Sequence, residues 1–192
     1  MKKRHILIGS FILIFLSLLG ITYAAFIDKG KILGSTFTVG SSDLKLLSNL
    51  SGGVDPSNLT DELTGPTFNN IGSSWHQDYL LKLYNNGTSP AQIATHSNYA
   101  TANDPDDLRS FIYVEPFPWN DANNNGVVDT GEEGTSLGRK TIIKWKTEGF
   151  DLGSLGTGEV KGLILRFSTD SVSDTKQGKS GVFDFEFDSI GL

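Results

Sequence analysis

Apolar and polar residues alternate along several short stretches of this chain, and this alternation limits its possible folds more than any other feature. In residues 182–187, Phe183, Phe185 and Phe187 fall on one face of a strand. Asp184 and Glu186 fall on the other face. A period of two places one face in a core and the other in water. Burial of one Phe contributes about 1.5–3 kcal/mol, so this face predicts a major part of the core.

Further strands follow from similar patterns, and together they predict an all-β fold, a β-sandwich of two antiparallel sheets. No apolar pattern with a helical period of 3.6 is sustained, so helix is expected to be minor. Residues 48–74 are rich in Gly, Asn, Ser and Pro and predict a long loop with a short helical turn near 61–63. The other predicted strands are 35–40, 43–47, 79–84, 91–95, 111–114 (ending at Pro116), 141–145 (with Trp145 in the core) and 160–167.

The first 24 residues have the organisation of an export signal. Three basic residues, Lys2, Lys3 and Arg4, precede an apolar stretch at 6–21. Small residues then lead to the Ala24–Ala25 bond, as at a cleavage site. We predict a cleaved N-terminal signal helix at 1–24 and a secreted protein of the extracellular matrix or cell surface. The alternative is a retained anchor, since the apolar stretch is just long enough to span a bilayer.

Size, charge and cysteine content narrow the functional classes. The 192 residues contain no internal repeat, and 25–192 are predicted to form a single β-sandwich domain with its own core. The net charge of −6 becomes about −9 without the basic signal, which disfavours a nucleic-acid partner. The chain has no Cys, which removes thiol nucleophiles and zinc ribbons from consideration.

The N-terminal region carries a family resemblance. Residues 20–28 are Gly-Ile-Thr-Tyr-Ala-Ala-Phe-Ile-Asp, and 36–44 are Thr-Phe-Thr-Val-Gly-Ser-Ser-Asp-Leu. These segments resemble the start of the TasA–camelysin (CalY) family, where T-[WY]-A ends the signal and A-F-x-D and T-F-x-x-G-x-x-D-L follow. Residues 84–93, 162–167 and 177–187 resemble the middle hairpin and the last two strands of the family. Residues 104–140 match nothing in the family pattern and are predicted to be an insertion.

The resemblance implies a jelly-roll β-sandwich, cleavage by a SipW-type signal peptidase and assembly into biofilm matrix fibres. In line with it, we expect head-to-tail homopolymers in which residues 25–39 of one subunit act as a donor strand for the next. The alternative is that residues 25–33 form the first strand of their own domain. The apolar side chains expected to set the register of the donor strand are Phe26, Ile27, Ile32 and Leu33.

Residues 121–132 match the twelve-residue calcium loop. Oxygen-bearing side chains occupy positions 1, 3, 5, 9 and 12, and Gly126 occupies position 6, where the backbone turns sharply. Val128, at position 8, is expected to anchor the loop to the core. The pattern predicts a structural calcium ion, against the alternative of a solvated Asn-Gly turn. The predicted ligands are Asp121, Asn123, Asn125, Val127 (through its carbonyl), Asp129 and Glu132.

Two other functions remain as alternatives. A calcium-dependent carbohydrate-binding or adhesin module would stack sugars on exposed aromatic residues, for which Trp75, Trp119 and Tyr113 are candidates, and matrix polysaccharide would then be a partner. A camelysin-like metalloendopeptidase would need a compact set of His and carboxylate ligands. His76 and His96 are far apart in the sequence and lack the H-E-x-x-H spacing, so we expect no enzymatic activity and no catalytic residue.

Overall fold

The computed structural model describes residues 41–192. The signal peptide, the Ala24–Ala25 cleavage site and the donor strand with Phe26, Ile27, Ile32 and Leu33 therefore lie outside the described residues. Among residues 41–192 there are nine strands, one α-helix, α1 (Ile142–Glu148), and four 3₁₀ turns. The strands are β1 (Leu44–Leu47), β2 (Leu59–Thr60), β3 (His76–Asn85), β4 (Ala91–Asn98), β5 (Tyr113–Trp119), β6 (Lys140–Thr141), β7 (Phe150–Leu155), β8 (Val160–Ser168) and β9 (Asp184–Gly191).

The strands form two antiparallel sheets, which confirms the predicted all-β sandwich. The larger sheet has the order β2-β1-β3-β8-β5-β6, and the smaller sheet has the order β7-β4-β9. The longest pairing joins β3 to β8, from His76 opposite Ser168 to Tyr84 opposite Val160. β3 and β8, at the centre of the larger sheet, are thus paired over most of their length.

The main core lies between the two sheets. On β8, Leu163, Leu165 and Phe167 are fully buried in it, because alternate residues of a strand point to the same face. Ile164, between them, points to the opposite face of the larger sheet and packs with Phe117 and Trp119 in a second, smaller cluster. This outer cluster is the platform on which the 120–134 loop lies.

The β9 strand carries the predicted three-Phe face. Phe183, Phe185 and Phe187 are half-buried and pack against the main core. Phe185 stacks on Trp145 with ring centroids 4.8 Å apart and lies 5.1 Å from the Phe167 ring. The strand itself begins at Asp184 and continues to Gly191, beyond the predicted end at 187.

The predicted strand at 141–145 is wrong, because residues 142–148 form helix α1. Thr141 caps the helix by accepting a hydrogen bond from the Lys144 N–H, and Gly149 ends it. Ile142 and Trp145 are buried three positions apart, which is helical spacing, whereas Ile143 is exposed. Trp145 therefore lies in the core as predicted, but on a helix.

The predicted end of the fifth strand at Pro116 is also wrong. β5 continues through Pro116 and Pro118 to Trp119 and pairs with β8 along its whole length. The carbonyls of the two prolines accept hydrogen bonds from Leu137 and Gly134 in the following loop. Because the N–H and C=O of a strand residue point to the same side, the missing N–H groups fall on the loop side and leave the pairing with β8 intact.

One further local prediction is wrong. The helical turn expected near 61–63 lies earlier, at Pro56–Asn58, where the Asp55 carboxylate accepts from the Ser57 N–H. The strand β7 had no predicted counterpart. β5 itself falls inside the 104–140 segment, so that segment supplies an inner strand of the larger sheet.

Candidate calcium loop and open strand edge

The 120–134 loop follows β5 and is closed at its base by the main chain. Asn120 N–H donates to the Glu132 carbonyl at 3.0 Å, and Gly134 N–H donates to the Pro118 carbonyl at 2.8 Å. Trp119 and Glu133 form an isolated antiparallel bridge at the same point. The residues of the predicted calcium loop are therefore held in one closed turn on the outer face of the larger sheet.

Asp121 occupies the centre of this turn. Its carboxylate accepts hydrogen bonds from the Asn125 N–H through Oδ1 at 3.1 Å and from the Gly126 N–H through Oδ2 at 2.9 Å. Gly126 has φ +77°, and a Cβ there would lie 3.2 Å from the Leu50 Cβ. The glycine at position 6 is thus required both by the backbone conformation and by the close approach of the neighbouring segment.

The other side chains of the loop hold one another. The amide nitrogens of Asn123 and Asn125 donate to Asp129 Oδ2 at 2.8 and 2.9 Å. Their Oδ1 atoms accept from the Asn125 N–H and the Val127 N–H, respectively. Glu132 accepts from Ala122 N–H, Asp129 N–H and the Trp119 indole N–H. The fold therefore brings five of the predicted ligand side chains into one hydrogen-bonded loop.

The loop contains the donor set that suits a hard cation, three carboxylates and two amide oxygens. Each carboxylate is, however, already held by protein donors, and no group of three acidic or His side chains in residues 41–192 is arranged to hold a metal ion. The hydrogen bonds from N–H groups to Asp121, Asn123 and Asn125 orient these side chains around the turn. Calcium binding by Asp121, Asn123, Asn125, Val127, Asp129 and Glu132 stays a prediction.

The expectation that Val128 anchors the loop is wrong. Val128 is 37% exposed and Val127 is also exposed. The anchor is instead Lys82 on β3, whose side chain is 5% exposed and whose Nζ lies 2.9 Å from Asp121 Oδ2. Lys82 also donates to the Leu50 carbonyl at 2.8 Å and lies 5.2 Å from the Trp119 ring centroid.

This buried ion pair sets the charge state of Asp121, whose side chain is 1% exposed. Burial raises the pKa of this carboxyl group, but hydrogen bonds from Lys82 and from the Gly126 N–H outweigh it, and the net pKa lies below 3.8. Asp121 is therefore ionised at neutral pH. Lys82 and Asp121 are 39 residues apart, and sequence reasoning did not find the pair.

A second feature lies on the smaller sheet, at the edge of β9. Among the described strands, β9 pairs with β4 alone, through eight consecutive residue pairs. Its opposite edge has no strand partner within residues 41–192. Ser42, near the first described residue, lies close to the C-terminal part of β9, with its Oγ 2.5 Å from Ser189 Oγ.

Several apolar side chains between the two sheets are incompletely covered. Leu44 and Leu46 on β1 and Tyr79 on β3 belong to the inner face of the larger sheet, yet they are only half-buried. The smaller sheet has three strands against six in the larger one. An additional strand beside β9 would extend the smaller sheet over more of the inner face of the larger sheet.

The aromatic candidates for sugar stacking are not freely exposed. Trp119 is 4% exposed, so its ring cannot serve as a platform. Arg139 covers Tyr113, with its guanidinium carbon 3.7 Å from the ring centroid. Trp75 is half-buried and packs edge-on against Phe68 at 5.3 Å.

The two histidines of the described chain lie on different strands. His76 is exposed at the start of β3, whereas His96 on β4 contacts Glu186 and Asp188 on β9 at 2.8 and 3.0 Å. Both ring nitrogens of His96 thus face carboxylates across one strand pair. These contacts tie β4 to β9 on the outer face of the smaller sheet.

Within residues 41–192, none of the helices has the length and hydrophobicity needed to cross a membrane. A scan against protein-family models gives no match for this chain, and a search of curated proteins gives no significant match.

Proposed function

We propose that this protein is a secreted structural subunit that polymerises into extracellular, biofilm-matrix fibres by donor-strand exchange. Residues 25–39 of one subunit pair with the β9 edge of the next. The observation that supports this most strongly is the edge of β9 that has no strand partner within residues 41–192. Half-buried apolar side chains on the inner face of the larger sheet add to this support. A SipW-type signal peptidase is the proposed processing partner.

The edge of β9 suits an incoming strand in length and chemistry. Its eight residues offer an edge of about 26 Å, which residues 25–39 can cover when extended. Main-chain hydrogen bonds to β9 supply affinity whatever the sequence of the incoming strand. Phe26, Ile27, Ile32 and Leu33 supply apolar side chains for Leu44, Leu46 and Tyr79, and so fix the register.

Pairing between copies makes this contact propagate. The donor segment and the β9 edge are different surfaces, so each subunit can give one strand and accept another. Such a heterologous contact builds a filament rather than a closed dimer. Since Ser42 lies beside Ser189, residues 25–39 of the same chain can also reach the edge, and this pairing within one subunit is the competing arrangement.

Deletion of residues 25–33 from the mature protein tests the proposal. The deletion should give folded monomers, because the β9 edge then has no donor, while the intact protein forms filaments visible by negative-stain electron microscopy. A variant with Lys29→Gln, which keeps the apolar side chains, serves as control and should still polymerise. Normal filaments from the deleted protein would exclude a donor role for this segment.

The calcium loop has a structural role in this proposal. A calcium ion bound by Asp121, Asn123, Asn125, Val127, Asp129 and Glu132 would bind the folded protein and not the unfolded chain, and so raise its stability by mass action. Extracellular calcium is high enough for a site of moderate affinity.

The melting temperature in millimolar calcium should exceed that in excess chelator. Glu132→Gln should abolish the difference, because it removes the carboxylate that closes the loop, whereas Glu133→Gln should keep it. Equal melting temperatures in the two buffers for the unmodified protein would contradict the calcium assignment. Retention of monomers on a polysaccharide column would instead favour the carbohydrate-binding alternative.

A further inference from the structure

The smaller sheet has two outer strands, and they differ in how their edges are finished. β7 and β9 both flank β4, and within the described chain neither has a second strand partner. An unpaired edge strand is a template for pairing with another chain. Unless one of the two edges is blocked, the smaller sheet has two sites for strand addition.

Lys161 blocks part of the β7 edge. It belongs to β8 in the larger sheet, and its side chain crosses to the smaller sheet. Its Nζ donates to the Leu152 carbonyl at 2.5 Å and to the Ser154 carbonyl at 2.9 Å. A carbonyl that accepts from an ammonium group is less available to the N–H of an added strand. Burial lowers the pKa of Lys161, partly offset by Asp151 and Glu159, so this placement carries a desolvation cost.

Lys140 continues the same arrangement at the start of the strand. Its Nζ donates to the Gly149 carbonyl at 2.6 Å and lies 3.2 Å from Glu148 Oε2. It also lies 4.7 Å from the centroid of the Phe150 ring. Three main-chain carbonyls along or next to β7 therefore accept from lysine side chains.

The backbone of β7 is also irregular. Its pairing with β4 shifts register between Ile93 and Ala94, and Gly153 has φ +78° at this point. The Gly153 N–H donates to Asp151 Oδ1 at 2.8 Å, so a side chain of the same strand takes this donor. A bulge bends and twists an edge strand, which further disfavours pairing with a straight partner.

β9 has neither the lysine-bound carbonyls nor the bulge that β7 has in the described chain. Its pairing with β4 is continuous over eight residues. In the part of the chain that the structure describes, no lysine or arginine donates to a β9 carbonyl. Two of its charged side chains, Glu186 and Asp188, contact His96 on the neighbouring strand β4.

We infer that Lys140, Lys161 and the Gly153 bulge close the β7 edge, so that within the smaller sheet a strand from a second copy of this chain can be added only at β9. The inference rests on the proposed function for the identity of the added strand. Closure of β7 leaves the smaller sheet with a single acceptor edge and prevents β7 strands of different subunits from pairing with one another.

A disulfide assay on the mature protein tests this closure. The chain has no Cys, so Ser154→Cys, at an exposed position on β7, supplies a unique thiol. In the background Lys140→Met with Lys161→Met, β7 edges of two molecules should pair, and the yield of disulfide-linked dimers should rise several-fold over Ser154→Cys alone. Electron microscopy should then show branched or laterally joined assemblies.

Two controls separate edge closure from a general loss of stability. Lys144→Met removes an exposed lysine of α1 and should leave the dimer yield unchanged, and Lys161→Arg, which keeps the donors, should do the same. If the double variant does not fold, the single variant Lys161→Gln is used instead. The glutamine side chain is shorter than that of lysine and cannot reach both the Leu152 and the Ser154 carbonyls. Circular dichroism and thermal unfolding establish that each variant is folded.

An unchanged dimer yield in a folded Lys161→Gln or double variant would overturn the inference. Lower stability with an unchanged yield would also overturn it, since Lys161 would then only join the two sheets. The assay does not depend on polymerisation: if the unmodified protein forms no filaments, the proposed function fails, while the comparison of dimer yields still tests the closure of β7.

Discussion

Lys82 connects the 121–132 loop to the larger sheet. It lies on β3, on the outer face of the larger sheet, and neutralises the buried Asp121 carboxylate. The twelve-residue motif was visible in the sequence because its spacing is local. The lysine was not, because no local pattern links residues 39 positions apart. The sequence therefore predicts the loop but not its partner in the sheet.

Removal of this lysine should be costly. Lys82→Met leaves the Asp121 carboxylate buried without its partner and should lower the free energy of unfolding by about 3 kcal/mol. Lys144→Met, at an exposed position, should change it by less than about 0.5 kcal/mol. Urea unfolding in excess chelator measures both. Equal effects of the two substitutions would mean that Lys82 does not stabilise the loop.

Asp121 should also contribute to stability against acid. Its pKa in the folded protein lies below the usual 3.8, so the folded state binds fewer protons than the unfolded state as the pH approaches that range. This stabilisation is complete above the unfolded pKa and is lost as the pH falls through the folded pKa. Asp121→Asn should therefore flatten the fall in stability below about pH 4, whereas Asp184→Asn, at an exposed position, serves as control. An unchanged acid profile for Asp121→Asn would contradict the assigned charge state.

Among the single elements, alternation predicted β3, β8 and β9, although the outer faces of β3 and β8 are partly covered, since Lys82 and Ile164 there are buried. β4 was predicted from the turn that precedes it. Alternation failed at 141–145, because Ile142 and Trp145 also satisfy helical spacing and a four-residue pattern cannot separate the two periods. It failed again at β5, where Pro116 was expected to end the strand. A proline interrupts pairing only where its missing N–H would face a neighbouring strand, and at Pro116 that side faces the following loop. β7 was missed because Asp151-Leu152-Gly153-Ser154 lacks a sustained apolar pattern.

The three-Phe face of β9 gives a test for one of these elements. Phe185→Ala removes a ring that stacks on Trp145 and lies against Phe167, and should lower the free energy of unfolding by about 2–3 kcal/mol, less than a fully buried Phe would. Val182→Ala, just before the strand and 62% exposed, should have little effect. Thermal unfolding of both variants provides the comparison. A negligible loss for Phe185→Ala would show that β9 is not part of the stable core.

In the molecule as a whole, the proposed assembly depends on an asymmetry between two strand edges. β7 has lysines at its carbonyls and a bulge, whereas β9 is regular and has no second strand partner within residues 41–192. The sequence resemblance predicted a donor strand but did not indicate which strand would accept it. The proposal that β9 is the acceptor comes from the three-dimensional arrangement of β4, β7 and β9.

The most direct test mixes two proteins that each carry one cysteine. One has Asp184→Cys on β9, and the other has a single cysteine placed in turn at positions 26 to 33. Because neither protein can form the bond alone within one chain, a disulfide that joins the two different chains reports strand exchange between subunits. We expect such bonds in filaments formed from the mixture. A protein that carries both cysteines on one chain serves as the comparison. If the disulfide forms only in this protein, and the protein stays monomeric, assembly by donor-strand exchange is contradicted.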